Sequence, residues 1–142
     1  MKNKLIIILS FLLINLNCND NCFSAPENIV FEFINANGEN LIENGELDKS
    51  KILIQEKTNE NTSIGINTKL IDNNKITPEK LGWYNGNKKY EVFILNSEIK
   101  NFKFKVNSSY SNTDCEGYKI DNLEFENVDF VIENGIYKII IE

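Results

Sequence analysis

Residues 101–107, NFKFKVN, set Phe102, Phe104 and Val106 in alternation with Lys103 and Lys105. Successive side chains of a strand point to opposite faces, so this period of two means one dry face and one wet one. A helix could not sort the same residues that way. Further strand signals follow, with varying clarity, in IVFEFI (29–34), KILIQE (51–56), SIGINTKLI (63–71), KYEVFIL (89–95), YKIDNLEFE (118–126), VDFVIE (128–133) and IYKIIIE (136–142). The spacing predicts seven or eight short strands.

Turn chemistry punctuates them. Four of the seven glycines follow asparagine, at Asn37-Gly38, Asn44-Gly45, Asn85-Gly86 and Asn134-Gly135. Both residue types tolerate positive φ, which a type I′ hairpin turn demands at its two central positions. VDFVIE-NG-IYKIII therefore predicts a carboxy-terminal hairpin. Thr77-Pro78-Glu79-Lys80 carries the one helical signal, a cap, a proline at the first helical position and an acid in the first turn, and Gly82 limits it to one turn. Short strands at roughly ten-residue spacing with almost no helix argue for a single antiparallel β-sandwich, with a small closed barrel as the alternative.

At 142 residues the chain has room for one domain, and its nine Phe, five Tyr and one Trp supply bulk for a core. The formal charge is −6, and the 21 acidic residues all lie beyond residue 18. An acidic body repels phosphate backbones, and with every basic residue a Lys there is no bidentate donor for guanine or phosphate. Nucleic acid is not an expected partner. Anionic headgroups offer such a body nothing either.

The amino terminus reads as a leader. Lys2 and Lys4 precede an apolar stretch, residues 5–16, interrupted only by Ser10 and Asn15. Crossing a bilayer takes about 20 apolar residues, so this run fits the charged and apolar regions of a secretory signal better than a permanent span. A leader ending directly in a cysteine resembles the bacterial lipoprotein class. That resemblance implies that Cys18 becomes the first mature residue, carrying a thioether-linked diacylglycerol and an acylated, palmitate-type amino terminus. Several acyl chains hold far more firmly than one. Asn15 and Asn17 depart from the usual box, which has Leu three before the cysteine and a small residue just before it. Ordinary cleavage near Ser24 and Ala25 is the alternative. The expected layout is a signal peptide over 1–17, a tether over 18–27 and a β-sandwich over 28–142.

With Cys18 lipidated, Cys22 and Cys115 remain, and an even remainder in an exported protein suggests a disulfide. Pairing Cys18 with Cys22 would instead leave Cys115 odd. Two or three cysteines without histidine match no zinc pattern, and a thiol nucleophile would lack an imidazole base. No metal or cofactor is expected.

Two further resemblances bear on the fold. A strand followed by Asn35-Ala36-Asn37-Gly38-Glu39-Asn40-Leu41 is similar to the start of transthyretin-like and collagen-adhesin B-type sandwich domains. Cys18, Cys22-Phe23-Ser24-Ala25-Pro26, the strand VFEF, Gly38 to Leu41, Asn44-Gly45, Gly82-Trp83 and a late cysteine together resemble a group of small cell-envelope lipoproteins of Bacteroidetes. This implies an envelope location and an all-β domain; the expected address is the outer membrane, and the expected sandwich is of immunoglobulin-like or transthyretin-like kind. No activity comes with it.

Chemistry is sparse. Glu124, Glu126 and Asp129 alternate with Leu123, Phe125 and Val128 and so fall on a wet strand face; a glycosidase pair needs a set separation that spacing cannot establish. Asp72-Asn73-Asn74 and Asn112-Thr113-Asp114 lack the twelve-residue calcium loop. Without histidine no Ser-His-Asp set exists. Trp83 and Tyr84 remain as an aromatic platform for a sugar or peptide, in competition with a core Trp beside a turn. The expectation is a lipid-anchored envelope protein whose non-catalytic β-sandwich is a binding or structural module, held to the membrane through its anchor, with an envelope protein or a glycan as the candidate partners. An envelope or secreted hydrolase using carboxylates is the alternative function, and a periplasmic or secreted location the alternative address.

Overall fold

A computed structural model describes residues 22–72, 74–95, 98–112 and 115–141. The leader and residues 18–21 of the tether, Cys18 among them, lie outside the described residues. The strands are β1 (Phe23–Ser24), β2 (Val30–Ile34), β3 (Ile52–Asn59), β4 (Thr62–Ile66), β5 (Thr68–Ile71), β6 (Lys75–Pro78), β7 (Gly86–Ile94), β8 (Phe102–Ser111), β9 (Glu116–Glu126), β10 (Asp129–Glu133) and β11 (Ile136–Ile140). A single 3₁₀ turn, Lys49–Lys51, is the one helical element among the described residues.

Two open sheets result, ordered β1-β9-β8-β7-β3-β4 and β10-β11-β2-β6-β5. The barrel alternative fails because neither sheet closes. The all-antiparallel expectation also needs correction. Most pairs are antiparallel, but β1 runs parallel to β9 and β2 runs parallel to β11. The carboxy-terminal strand returns beside the first long one, which short hairpin turns could not reveal.

Alternation decides which faces are dry. Phe102, Phe104 and Val106 of β8 are all essentially buried while Lys103 is exposed. On the other sheet Phe31 and Phe33 of β2 do the same. The sheets meet face to face through these rings, Phe31 on Phe104 at 5.3 Å in an edge-to-face contact and Phe33 near Phe102 at 6.3 Å. Ile54, Val92 and Tyr90 extend one side of this layer, Ile76 and Ile139 the other. Fully burying such a side chain stabilises by about 1.5–3 kcal/mol, so this shared apolar layer is what holds the sheets together.

Expected and observed turns differ in instructive ways. Asn134 and Gly135 have φ of 52° and 78° and join β10 to β11 across the Glu133–Ile136 pair, the two-residue hairpin expected. At the other three Asn-Gly sites only the glycine has positive φ. Asn37-Gly38 and Asn44-Gly45 lie in a loop where asparagine side chains fold the backbone instead. Asn35 Oδ1 accepts from the amides of Asn37 and Glu39, Asn40 Oδ1 from Ile42 and Glu43, and Asn44 Oδ1 from Glu46. The stretch 63–71 is not one strand. It breaks at Asn67, so that β4 belongs to one sheet and β5 to the other. No helical turn forms at residue 77. Thr77 and Pro78 end β6, the Thr77 hydroxyl donates to the Ile29 carbonyl at 2.8 Å, and Lys80 has φ of 61°. Packing of Ile76 against the core outweighs the local capping preference.

Candidate functional site

Cys22 and Cys115 are bonded, with Cα atoms 5.0 Å apart. Beyond them Phe23 pairs with Glu116 and Ser24 with Gly117, at the same separation of 93 residues. The disulfide thus continues the register of the parallel β1–β9 pair, and it holds Phe23 against the sheet. Phe23, read from sequence as part of an irregular tether, belongs to a strand for this reason.

Trp83 is set in place from the other side. Gly82, φ 79°, passes so close to Pro26 and Ile120 that a Cβ would stand 3.0 Å from Pro26 Cβ and 2.7 Å from Ile120 Cγ1. A glycine is needed there on both counts. The loop lays the Trp83 indole against Phe23, ring centroids 5.7 Å apart and planes within 20°, and beside Tyr118 at 6.3 Å. Tyr118 in turn meets its cross-strand partner Tyr110 edge to face at 5.1 Å. The result is a continuous row of four rings, Phe23, Trp83, Tyr118 and Tyr110. Phe23 is 55% exposed, Trp83 46% and Tyr110 44%. Burial against neighbours pushes the Tyr110 phenol upward, and the Glu116 charge adds to it.

Trp83 and Tyr84, paired in the sequence reading, part company. Tyr84 is half-buried. Its hydroxyl donates to the Val106 carbonyl at 3.1 Å, its own carbonyl accepts from Ser108 Oγ at 2.7 Å, and Lys88 Nζ lies 4.6 Å from its ring centroid. Lys88 also pairs with Glu56 at 2.8 Å. Tyr84 closes the end of the core, while Trp83 faces outward with the row. Phe23, Tyr110 and Tyr118 were missed by sequence reasoning, though Phe23 follows a cysteine whose bridge places it beside β9.

A second feature lies at the β10 edge of the five-stranded sheet, over β9. β10 is outermost there, and its Phe130, Val131 and Ile132 are exposed in succession. Phe130 leans on Phe125 at 4.5 Å, and with Ile132 it borders a cleft of about 300 Å³ that Ile120, Leu123 and Tyr137 also line.

Four acids serve local structure. Asp48 is held below the ordinary carboxylate range first by the Ser50 amide, Glu79 and Glu133 by hydrogen bonds from Lys69 and Lys138, and Asp121 by the Ser109 hydroxyl. Glu124, Glu126 and Asp129 are exposed, on the solvated side expected for them. Among the described residues no three His, Cys, Asp or Glu side chains are grouped to hold a metal ion. Compared with known proteins, the chain matches no protein family, no curated protein and no solved structure.

Proposed function

We propose that this chain is exported, is held at the cell envelope by lipid on Cys18, and uses its two-sheet body as a non-catalytic binding or structural module. The observation that carries the reading is the Cys22–Cys115 bridge, four residues past the cysteine at which the apolar leader ends. Disulfides persist in oxidising compartments, and this pairing leaves Cys18 as the thiol available for acylation. We take the outer membrane as the address, in line with the resemblance to envelope lipoproteins. The two facing sheets fit a sandwich of immunoglobulin-like or transthyretin-like kind. Carboxylates engaged in local ion pairs and turns support a module rather than a hydrolase.

For a protein partner the body offers the β10 edge, where an extended segment could add to the sheet beside Val131 and Ile132. Anchoring is tested by Cys18→Ser, which should move the protein from the membrane to the soluble envelope fraction. Membrane association unchanged by that substitution contradicts the reading.

A further inference from the structure

Resting on the anchoring reading above, we infer that the aromatic row Phe23, Trp83, Tyr118 and Tyr110 is the face by which the body lies against the lipid headgroups. The argument begins with reach. Cys18 and Cys22 are four residues apart, and an extended chain covers at most about 3.6 Å per residue, so the bridge stands within about 14 Å of the acylated residue. The polar region on each side of the hydrocarbon is itself only about 5–7 Å thick. Even fully extended, the tether keeps the bridge within about 7–9 Å of the outer limit of the headgroups, so this end of the body is the one held beside the membrane.

Rigidity makes the reach consequential. Cys22 is bonded to Cys115, and Phe23 and Ser24 are paired with Glu116 and Gly117, so the point of attachment cannot swing free of β9. Phe23 follows the bridge directly and begins the row.

The side chains match that location. Indole and phenol groups present an apolar body with a polar tip, the combination that concentrates at membrane interfaces. Phe23 and Trp83 stack at 5.7 Å as the apolar end of the row. Tyr118 and Tyr110 continue it, with Glu116 beside the Tyr110 phenol. The contact is apolar in origin, because a chain with 21 acidic and 15 basic residues, Lys2 and Lys4 of the leader among the latter, gains nothing from anionic lipid.

Trp83 is the only tryptophan in the chain and reports on its own position. The experiment takes the full-length protein purified from membranes and reconstituted in phosphatidylcholine vesicles, with and without phosphatidylcholine brominated near the headgroup. Flotation scores anchoring, and Trp83 fluorescence scores the row. The expected result is co-flotation with emission quenched about twofold by shallow brominated lipid, shielding from aqueous iodide, and no gain from anionic lipid. Protein that floats while its emission ignores brominated lipid and stays open to iodide overturns the proposal with anchoring intact, and turns the row toward a glycan or peptide. Protein that fails to float overturns both. A Phe23→Ala variant, folded as judged by its far-ultraviolet spectrum, should keep flotation and lose part of the quenching; quenching equal to that of the unaltered protein also counts against the row.

Discussion

Gly117 and Ser24 stand so close that a Cβ built on Gly117 would lie 2.0 Å from the Ser24 carbonyl oxygen. The β1 and β9 backbones touch where only hydrogen fits. Gly117→Ala should therefore displace β1 and draw Phe23 away from Trp83, while the disulfide keeps Cys22 tied to Cys115. We expect a loss of about 1–3 kcal/mol in urea unfolding and a red shift of Trp83 emission in the folded protein. Gly65→Ala is the control, because nothing lies within 4 Å of its Cβ; it should change stability by no more than about 0.5 kcal/mol. Equal behaviour of the two variants would contradict the close approach.

The bridge closes a long loop. With the cysteines 93 positions apart, the chain-entropy argument gives a stabilisation of up to about 4–5 kcal/mol, acting mainly by restricting the unfolded chain. Paired Cys22→Ser and Cys115→Ser substitutions should lower the urea midpoint by a corresponding amount. The unaltered protein measured in reductant should match them. A midpoint indifferent to reductant would mean that the thiols are not joined in the folded protein.

Much of the fold was legible because alternation is a local signal. Phe102, Phe104 and Val106 announced their strand, and Asn134-Gly135 its turn, since positive φ at two adjacent positions is a property of those two residues. The parallel pairs were not legible. That Val30 lies beside Ile136, and Phe23 beside Glu116, depends on contacts across some hundred residues that no short window contains. β6 was hidden by Thr77-Pro78, whose capping preference is worth less than the burial of Ile76. At the candidate site, Trp83 and Tyr84 looked equivalent as sequence neighbours. The backbone of the Gly82 turn sends one to the surface and the other into the core. Pairing Cys22 with Cys115 was within reach of counting, but the row beside it needed the register that the bridge continues.

Tyrosine ionisation should be coupled to alkaline unfolding. The phenols of Tyr84, Tyr90, Tyr110 and Tyr137 are all held above their ordinary value, with burial the largest cause at each. Tyr90, which donates its hydrogen bond to Tyr84, is pushed furthest. Where a folded phenol keeps its proton and the unfolded one has released it, the folded state binds more protons. Stability is then complete below about pH 10 and falls as pH rises through that value. Tyrosinate absorbance should lag behind that of free tyrosine and rise together with loss of the far-ultraviolet β signal. Complete, reversible ionisation near the ordinary phenol value, with the β signal intact, would contradict the burial of Tyr84, Tyr90 and Tyr137.

The carboxy-terminal hairpin separates a turn's local demand from the stability of the core. Gly135 has φ of 78°, a conformation that β-branched side chains strongly resist, so Gly135→Val should cost about 1–2 kcal/mol at the turn. Asn134→Gly relieves the strain at φ 52° and should stay within about 0.5 kcal/mol of the unaltered protein. The damage in Gly135→Val has a defined boundary. All five residues of β10 are exposed, whereas β11 lies between β10 and β2 and buries Ile139. Losing the turn should release β10 and leave β11 in place. Hydrogen exchange should then quicken at amides of Asp129–Glu133, with Val30–Ile34 and the inner-facing side of Ile136–Ile140 unchanged. Exchange that quickens equally in β2 would show that the edge strand and the core open as one unit, and the β10 edge could not then offer itself to a partner while the body stays folded.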